Sequence, residues 1–350
     1  MRIAVDLAQR SYEVVLGDDA RRELSPLLDE RAPEARRVVL VTSTTLRHQS
    51  WFDLESGRDQ HVLEVPDGES AKSFATLEQL CEAFAALGLS RRDVVVAVGG
   101  GAVTDLVGFA AASYLRGIGV GHVPTSVVGQ VDAAIGGKTA INLRSGKNLV
   151  GAFHQPLGVL CDASTLLTLP ERERVAGLGE VAKCWLLEGR TTEGLGDASL
   201  SDLVAFSVRL KASIVAGDEF EGGARALLNY GHTLAHALEL LALQRNPDEL
   251  RHGEAVAVGL AYAVRLARAL GRVSDVRVAE HDAVLATLGL SPRFPRFLST
   301  ASLVEVMGHD KKAHHDLTFV LPGPDGFEVV TGIDPAVVSA VLERFRDDYA

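Results

Sequence analysis

The sequence of 350 residues predicts two domains of different class: an α/β domain over residues 1–165 and an all-α, mainly helical domain over 166–350. Three observations carry this reading. Up to Asp162 the chain alternates short β-branched runs with segments of helical apolar spacing, the rhythm of a parallel sheet covered by helices. One of those runs opens through Gly99-Gly100-Gly101 into an apolar helix. After Asp162 the strand-like runs stop, apart from a late piece at residues 317–321.

Composition bounds the function. With 47% hydrophobic residues the chain can bury a substantial core, and a formal charge of -11 argues against a nucleic-acid partner, which would need a basic face. Any anionic ligand must then meet a local basic cluster. The first ten residues carry charges where a secretory signal needs an apolar segment, and no later run approaches the ~18 apolar residues of a membrane span, so a cytoplasmic protein with no membrane partner is expected. Cys81, Cys161 and Cys184 are scattered and read as small buried residues, not as a disulfide or thiolate site.

Taken in order, residues 12–16 read as a strand and 21–28 as a helix. Residues 37–42 form a run buried on both faces, ending at Ser43 as a helix cap or a polar ligand edge. A strand at 61–65 leads through Pro66–Lys72 to a helix at 77–87. Residues 93–98 then open through the three glycines to Asp105 and a helix over 106–115. Such a turn brings backbone N–H groups and a helix N-terminus to a phosphate with no side chain in the way. It departs from Gly-x-Gly-x-x-Gly, and its plainer reading is a tight βα connection. Strand, glycines, helix and Asp105 together suit a dinucleotide. After a strand ending in Pro124-Thr125-Ser126, Lys138, Asn142, Lys147 and Asn148 fall within eleven residues otherwise rich in glycine and apolar side chains. That setting suits a phosphorylated or carboxylated substrate better than a solvated loop.

In the second half, Glu180 and Lys183 are three apart on a helix otherwise lined by Leu178, Val181, Ala182, Cys184 and Trp185, so the carboxylate is expected to point inward. A helix over 203–215 carries Arg209 and Lys211. Residues 225–236 are predicted as one helix of about three turns, with Arg225 and Asn229 along one side and His232 and His236 along another. The plainer reading of its histidines is hydrogen bonding within the core. His252 opens a further helix over 255–270, and one Glu with two His is an arrangement catalytic zinc sites use. The pair Lys311-Lys312 reads by default as a solvated turn.

In this order Gly68, Glu69 and Lys72, the three glycines with Asp105, Arg116, Pro124-Thr125, Gln130 with Asp132, Gly136-Gly137-Lys138-Thr139, Gly146–Pro156, Gly179-Glu180 with Lys183, Lys211, Asp218-Glu219, Arg225, Asn229-Tyr230-Gly231-His232, His236, His252 and Asp310-Lys311-Lys312 resemble the 3-dehydroquinate synthase family over nearly the whole chain. The resemblance implies an N-terminal nucleotide-binding α/β domain and a C-terminal helical metal-binding domain, a site between them, and a homodimer. It makes Glu180, His232 and His252 the ligands of Zn2+ or Co2+. It assigns NAD to Ser43, Glu69, Lys72, Gly99, Gly100, Gly101, Asp105, Thr125, Ser126, Asp132, Lys138 and Lys147. Around the substrate it implies Asp132, Lys138, Asn148, Lys183, Lys211, Arg225, Asn229, His236 and one or both of Lys311 and Lys312, with Arg116 reaching in from the partner subunit.

The implied reaction converts 3-deoxy-arabino-heptulosonate 7-phosphate to 3-dehydroquinate and phosphate, with NAD recycled. Ser43 departs from the Asp or Asn common there, and Cys184 from the Tyr after Lys183, while no named catalytic group is missing. These departures leave open a related sugar phosphate cyclase acting on an amino analogue, an aminodehydroquinate synthase. A metal-dependent polyol dehydrogenase is the more distant rival, because Lys138, Lys183, Lys211 and Arg225 match an uncharged polyol poorly.

Overall fold

In the computed structural model, which describes residues 1–144, 146–245, 249–295, 297–309 and 317–349, the β-branched runs do become the strands of one sheet. The elements up to Asp162 are β1 (Arg2–Val5), β2 (Tyr12–Gly17), α1 (Leu24–Arg31), β3 (Arg37–Ser43), the single turn α2 (Thr44–Arg47), β4 (Asp59–Val65), α3 (Phe74–Ala86), β5 (Val94–Gly99), α4 (Gly101–Ser113), β6 (Gly119–Pro124), β7 (Lys138–Leu143), β8 (Gly146–Phe153) and β9 (Val159–Asp162). The sheet runs β1-β2-β9-β6-β5-β3-β4, antiparallel only between β1 and β2.

Alternate residues of the central strands feed opposite cores, which is why these strands read as unbroken apolar runs. Val39, Val41, Val95 and Ala97 pack with Leu80 and Phe84 of α3 and Leu106 and Ala110 of α4. Val38, Leu40, Val94, Val96 and Val98 pack with Leu24 and Leu28 of α1. From β3 the chain crosses to β4 at one edge, and from β5 to β6 on the other side. The carboxyl ends of β3 and β5 therefore flank a topological switch point, the usual ligand crevice of an open parallel sheet.

The cationic stretch after Ile135 is a two-stranded antiparallel hairpin, β7 with β8, where the period-2 pattern had been obscured by glycines and polar residues. Lys138 and Asn142 lie on β7, Lys147 and Asn148 on β8.

The remaining helices are α5 (Glu171–Leu187), α6 (Leu200–Gly217), α7 (His232–Arg245), α8 (His252–Ala269), α9 (Asp275–Thr287), α10 (Thr300–His309) and α11 (Pro335–Tyr349), with a hairpin of β10 (Leu317–Gly323) and β11 (Gly326–Ile333). Two compact units result: Met1–Arg174 with Leu200–Phe220, and Val175–Ser199 with Glu221–Ala350. This division differs from a single boundary at 165. Helix α6 returns to the first unit, where Leu203, Val204, Val208, Ala212 and Val215 are buried and the helix packs on β1 and on a π-helical turn at Gly129–Ala133. Apolar periodicity shows that a helix has a buried face, not which core receives it.

In the second unit α8 is the central element, buried nearly all round between Ala255 and Val264, with α7, α9, α11 and β10 packed on it. The segment 225–236 is not one helix. A 3-10 turn, Ala224–Asn229, stops at Tyr230, whose ψ is 124°, and α7 begins only after Gly231 at φ +79°. A Cβ on Gly231 would also meet the Leu260 backbone nitrogen at 2.9 Å, so packing against α8 and a left-handed backbone both require glycine there.

Candidate active site

In the first unit, Gly99 ends β5, Gly101 starts α4, and Asp105 stands on the second turn of that helix. Lys72 is 4% exposed, and its Nζ donates to Asp105 Oδ2 at 2.6 Å and to Asn148 Oδ1, with Glu69 Oε1 at 3.7 Å. Asn142 Nδ2 donates to Glu69 Oε1 at 2.7 Å, while Asn142 Oδ1 accepts from the Asn148 amide at 2.9 Å. Burial raises the Asp105 carboxyl pKa above its ordinary value, with Lys72 opposing that shift. Asn148 holds φ +57°, a left-handed conformation uncommon outside glycine, which joins the hairpin to this network. Five polar residues from α3's approach, α4, β7 and β8 thus converge beside the glycine turn, including the expected Glu69, Lys72, Asp105 and Asn148.

Ser43 is buried at the end of β3, where it and Thr45 hydrogen-bond the Asp67 carboxylate and hold its pKa down against the effect of burial. Thr125 donates its amide to the Gly99 carbonyl at 3.0 Å, and Ser126 Oγ accepts from the Gly129 amide at 3.1 Å. The glycine turn is therefore backed by the loop after β6. Lys138 is exposed at the start of β7, and Lys147 is half-buried on β8. Lys211 of α6 is 6% exposed and donates to both Oδ1 and the backbone carbonyl of Asp132, at 2.6 Å each. Arg116 is exposed in a tight bend where Leu115 and Arg116 hold φ +50° and +67°.

In the second unit, ligand atoms of Glu180, His232 and His252 all lie within 4.8 Å of one another. Glu180 is fully buried on α5, and its Oε1 lies 3.2 Å from His232 Nε2 and 2.9 Å from His252 Nε2. Local packing explains the approach. A Cβ on Gly179 would fall 2.3 Å from the Gly253 carbonyl oxygen, so α5 and the start of α8 meet backbone to backbone, one residue from Glu180 and His252 respectively.

The two histidines are oriented from behind. His232 Nδ1 is 3.1 Å from the Tyr230 carbonyl oxygen, and His252 Nδ1 is 3.0 Å from Glu239 Oε2. Both partners only accept, so each Nδ1 carries its proton and each Nε2 turns a lone pair toward the Glu180 carboxylate. Three acceptors facing one another repel unless a cation stands among them, and a carboxylate with two imidazoles is a donor set that borderline divalent metals prefer. Burial opposes charge on His252, yet Glu239 and Glu180 raise its pKa well above the ordinary value. Burial alone would raise the Glu180 carboxyl, but Lys183, His232 and His252 hold it well below its usual range. Lys183 Nζ sits 2.5 Å from Glu180 Oε2.

His236 follows His232 by one turn, their ring centroids 5.3 Å apart and nearly perpendicular. Arg225 is 1% exposed on the 3-10 turn, and Asn229 Nδ2 donates to Glu221 Oε1 at 3.0 Å. Lys311 and Lys312 lie outside the described residues. Glu239 was not anticipated. The available signal was its place seven residues after His232, two helical turns along the same side of α7.

The N-terminal model of the 3-dehydroquinate synthase family matches residues 62–176 and the C-terminal model matches residues 177–313. A protein of Amycolatopsis mediterranei named provisionally as an aminodehydroquinate synthase is 48% identical, covering 99% of this chain and 95% of its own. The 3-dehydroquinate synthase of Mycobacterium leprae is 41% identical over 89% of this chain and 87% of its own. A crystal structure of 2-deoxy-scyllo-inosose synthase complexed with carbaglucose-6-phosphate, NAD+ and Co2+ superposes with a TM-score of 0.86 at 26% identity, covering 99% of both chains.

Proposed function

The chain belongs to the 3-dehydroquinate synthase family, and on that premise we propose that it is an NAD- and metal-dependent sugar phosphate cyclase whose preferred substrate is the amino analogue of the seven-carbon keto acid phosphate. The observation that carries the amino preference is the 48% identity to the Amycolatopsis protein over essentially the full chain, against 41% to the Mycobacterium leprae enzyme. Cyclisation of the keto acid itself is the second reading, supported by that 41%; Gly136–Thr139, Arg225 and His236 suit either substrate.

The residues present fit both groups such a reaction uses. Glu180, His232 and His252 would hold the metal, and the glycine turn with Glu69, Lys72, Asp105 and Ser43 would hold NAD at the switch point. When bound, the metal supplies Lewis-acid polarisation of neighbouring hydroxyls and NAD a reversible hydride acceptor.

The chain's own side chains supply the rest. Arg225, buried and planar, suits the substrate carboxylate as a bidentate donor, with Asn229 four residues further on. Lys138 and His236, with Arg116 from the partner subunit of a homodimer, offset charge on the departing phosphate. Lys183 keeps Glu180 anionic, and Lys211 fixes Asp132 by a two-point contact. No helix among the described residues is long and apolar enough to cross a membrane, and the proposed setting is the cytoplasm.

Phosphate release from each substrate, with sub-stoichiometric NAD, tests the reading. Preferential turnover of the amino compound supports it, and preference for the keto acid returns the assignment to 3-dehydroquinate synthase. Steady accumulation of NADH would overturn the cyclase class altogether.

A further inference from the structure

We infer that Glu239 is a positioning residue of the three-ligand site, fixing His252 so that Nε2, and not Nδ1, is presented beside Glu180 and His232. The inference rests on the metal reading above and extends it to a residue that neither the motifs nor the ligand set include.

Glu239 is 5% exposed on α7, and His252 is the first residue of α8. A carboxylate so buried is costly unless it is hydrogen-bonded to a cation or a strong donor. Glu239 Oε2 meets that need at His252 Nδ1, 3.0 Å away, while Nε2 of the same ring lies 2.9 Å from Glu180 Oε1. A carboxylate thus stands at each ring nitrogen, and only the Glu239 side lies outside the ligand cluster.

The two histidines are treated differently. His232 is backed by a neutral backbone carbonyl, that of Tyr230, which follows from the chain itself. His252 stands at a helix start, where its side chain is 31% exposed against 9% for His232, and local backbone supplies it no such partner in the described contacts. A carboxylate from the neighbouring helix takes that place. Because Glu239 and His232 share α7, the contact also ties the first residue of α8 to the helix carrying the other imidazole. A carboxylate behind a ligating imidazole fixes its tautomer, limits its rotation and raises its basicity, and such partners are worth about 10–100-fold in metal affinity.

The test uses the full chain, stripped of metal with a chelator and titrated with Zn2+ against a chromophoric competitor. Visible spectra of the Co2+ form and NAD affinity are recorded alongside. Glu239→Ala is expected to weaken Zn2+ binding by about 10–100-fold and to alter the Co2+ spectrum, with NAD affinity unchanged. Glu239→Gln keeps an oxygen for Nδ1–H without the charge, so it should recover the Co2+ spectrum and part of the affinity. A purely structural tether would lower thermal stability and leave the Co2+ spectrum as it is. Should the alanine variant fail to fold, the glutamine variant decides by its Zn2+ affinity. Wild-type binding of Zn2+ with both variants matching it overturns the Glu239 inference alone. Absence of Zn2+ and Co2+ binding in the wild type overturns the metal reading and the inference with it.

Discussion

Lys211 holds Asp132 at two points, donating to its Oδ1 and to its backbone carbonyl at 2.6 Å each across 79 residues of sequence. A lysine from the second half of the chain therefore completes a cluster of the first unit. The lysine side chain is 8% exposed and the carboxylate 29%, so the pair is partly shielded from water and worth more than a surface ion pair. Lys211→Ala is expected to lower the unfolding free energy by about 1–3 kcal/mol and turnover by roughly 100-fold. Chemical denaturation and phosphate release measure the two effects, and wild-type turnover in this variant would remove Lys211 from the substrate site.

His232→Ala and Glu180→Gln each remove a donor from the cluster that lies within 4.8 Å. Both are expected to lose more metal affinity than the roughly 10–100-fold of an outer-shell change. Metal analysis after dialysis provides the check. Stoichiometric zinc in His232→Ala would show that the cluster is not the binding site. Chelation of the wild type should abolish phosphate release, and added Zn2+ or Co2+ should restore it.

Gly179→Ala would set a Cβ 2.3 Å from the Gly253 carbonyl oxygen, which is backbone and cannot rotate away. Helices α5 and α8 must then separate beside Glu180 and His252. We expect a loss of about 1–3 kcal/mol, the range for overpacking, together with weaker Zn2+ binding. Thermal unfolding with and without metal distinguishes the two. An unchanged melting temperature would mean that α5 moves without cost.

His281 gives stability a dependence on pH that lies apart from the ligand cluster. It is fully buried, its Nδ1 donates to the Arg277 carbonyl, and burial lowers its pKa from 6.5 to about 4. Between those values the unfolded chain binds the proton and the folded chain does not, so stability is intact above pH ~6.5 and falls as pH drops toward 4. The contribution lost by pH 4 is about 3 kcal/mol. Urea denaturation at several pH values should show this slope, and His281→Asn should flatten it. An unchanged slope in that variant would assign the acid sensitivity to other groups.

Much of the architecture was legible because it depends on local pattern. The β-branched runs at 37–42 and 93–98 mark the strands found at Arg37–Ser43 and Val94–Gly99, and the glycine turn with Asp105 marks the start of α4. The break within 225–236 was partly legible too, since Gly231 stands at its center, but four-residue spacing across it suggested a continuous helix. What decided against continuity was the Leu260 backbone, an element distant in sequence.

The sequence alone carries the two classes of secondary structure and the cations around Lys138 and Lys211, and it offers Glu180, His232 and His252 as candidate ligands through its resemblance to the 3-dehydroquinate synthase family. Residue type and short-range spacing suffice for the first two, but not for a ligand set spread from residue 180 to residue 252, which the resemblance implies. Only the tertiary structure decided that α6 joins the first unit, that the two imidazoles turn their Nε2 atoms toward one carboxylate, and that Glu239 stands behind His252. Each of those depends on which helices meet and at what distance, and side-chain direction at such a contact is set by packing between remote segments, to which local periodicity is blind.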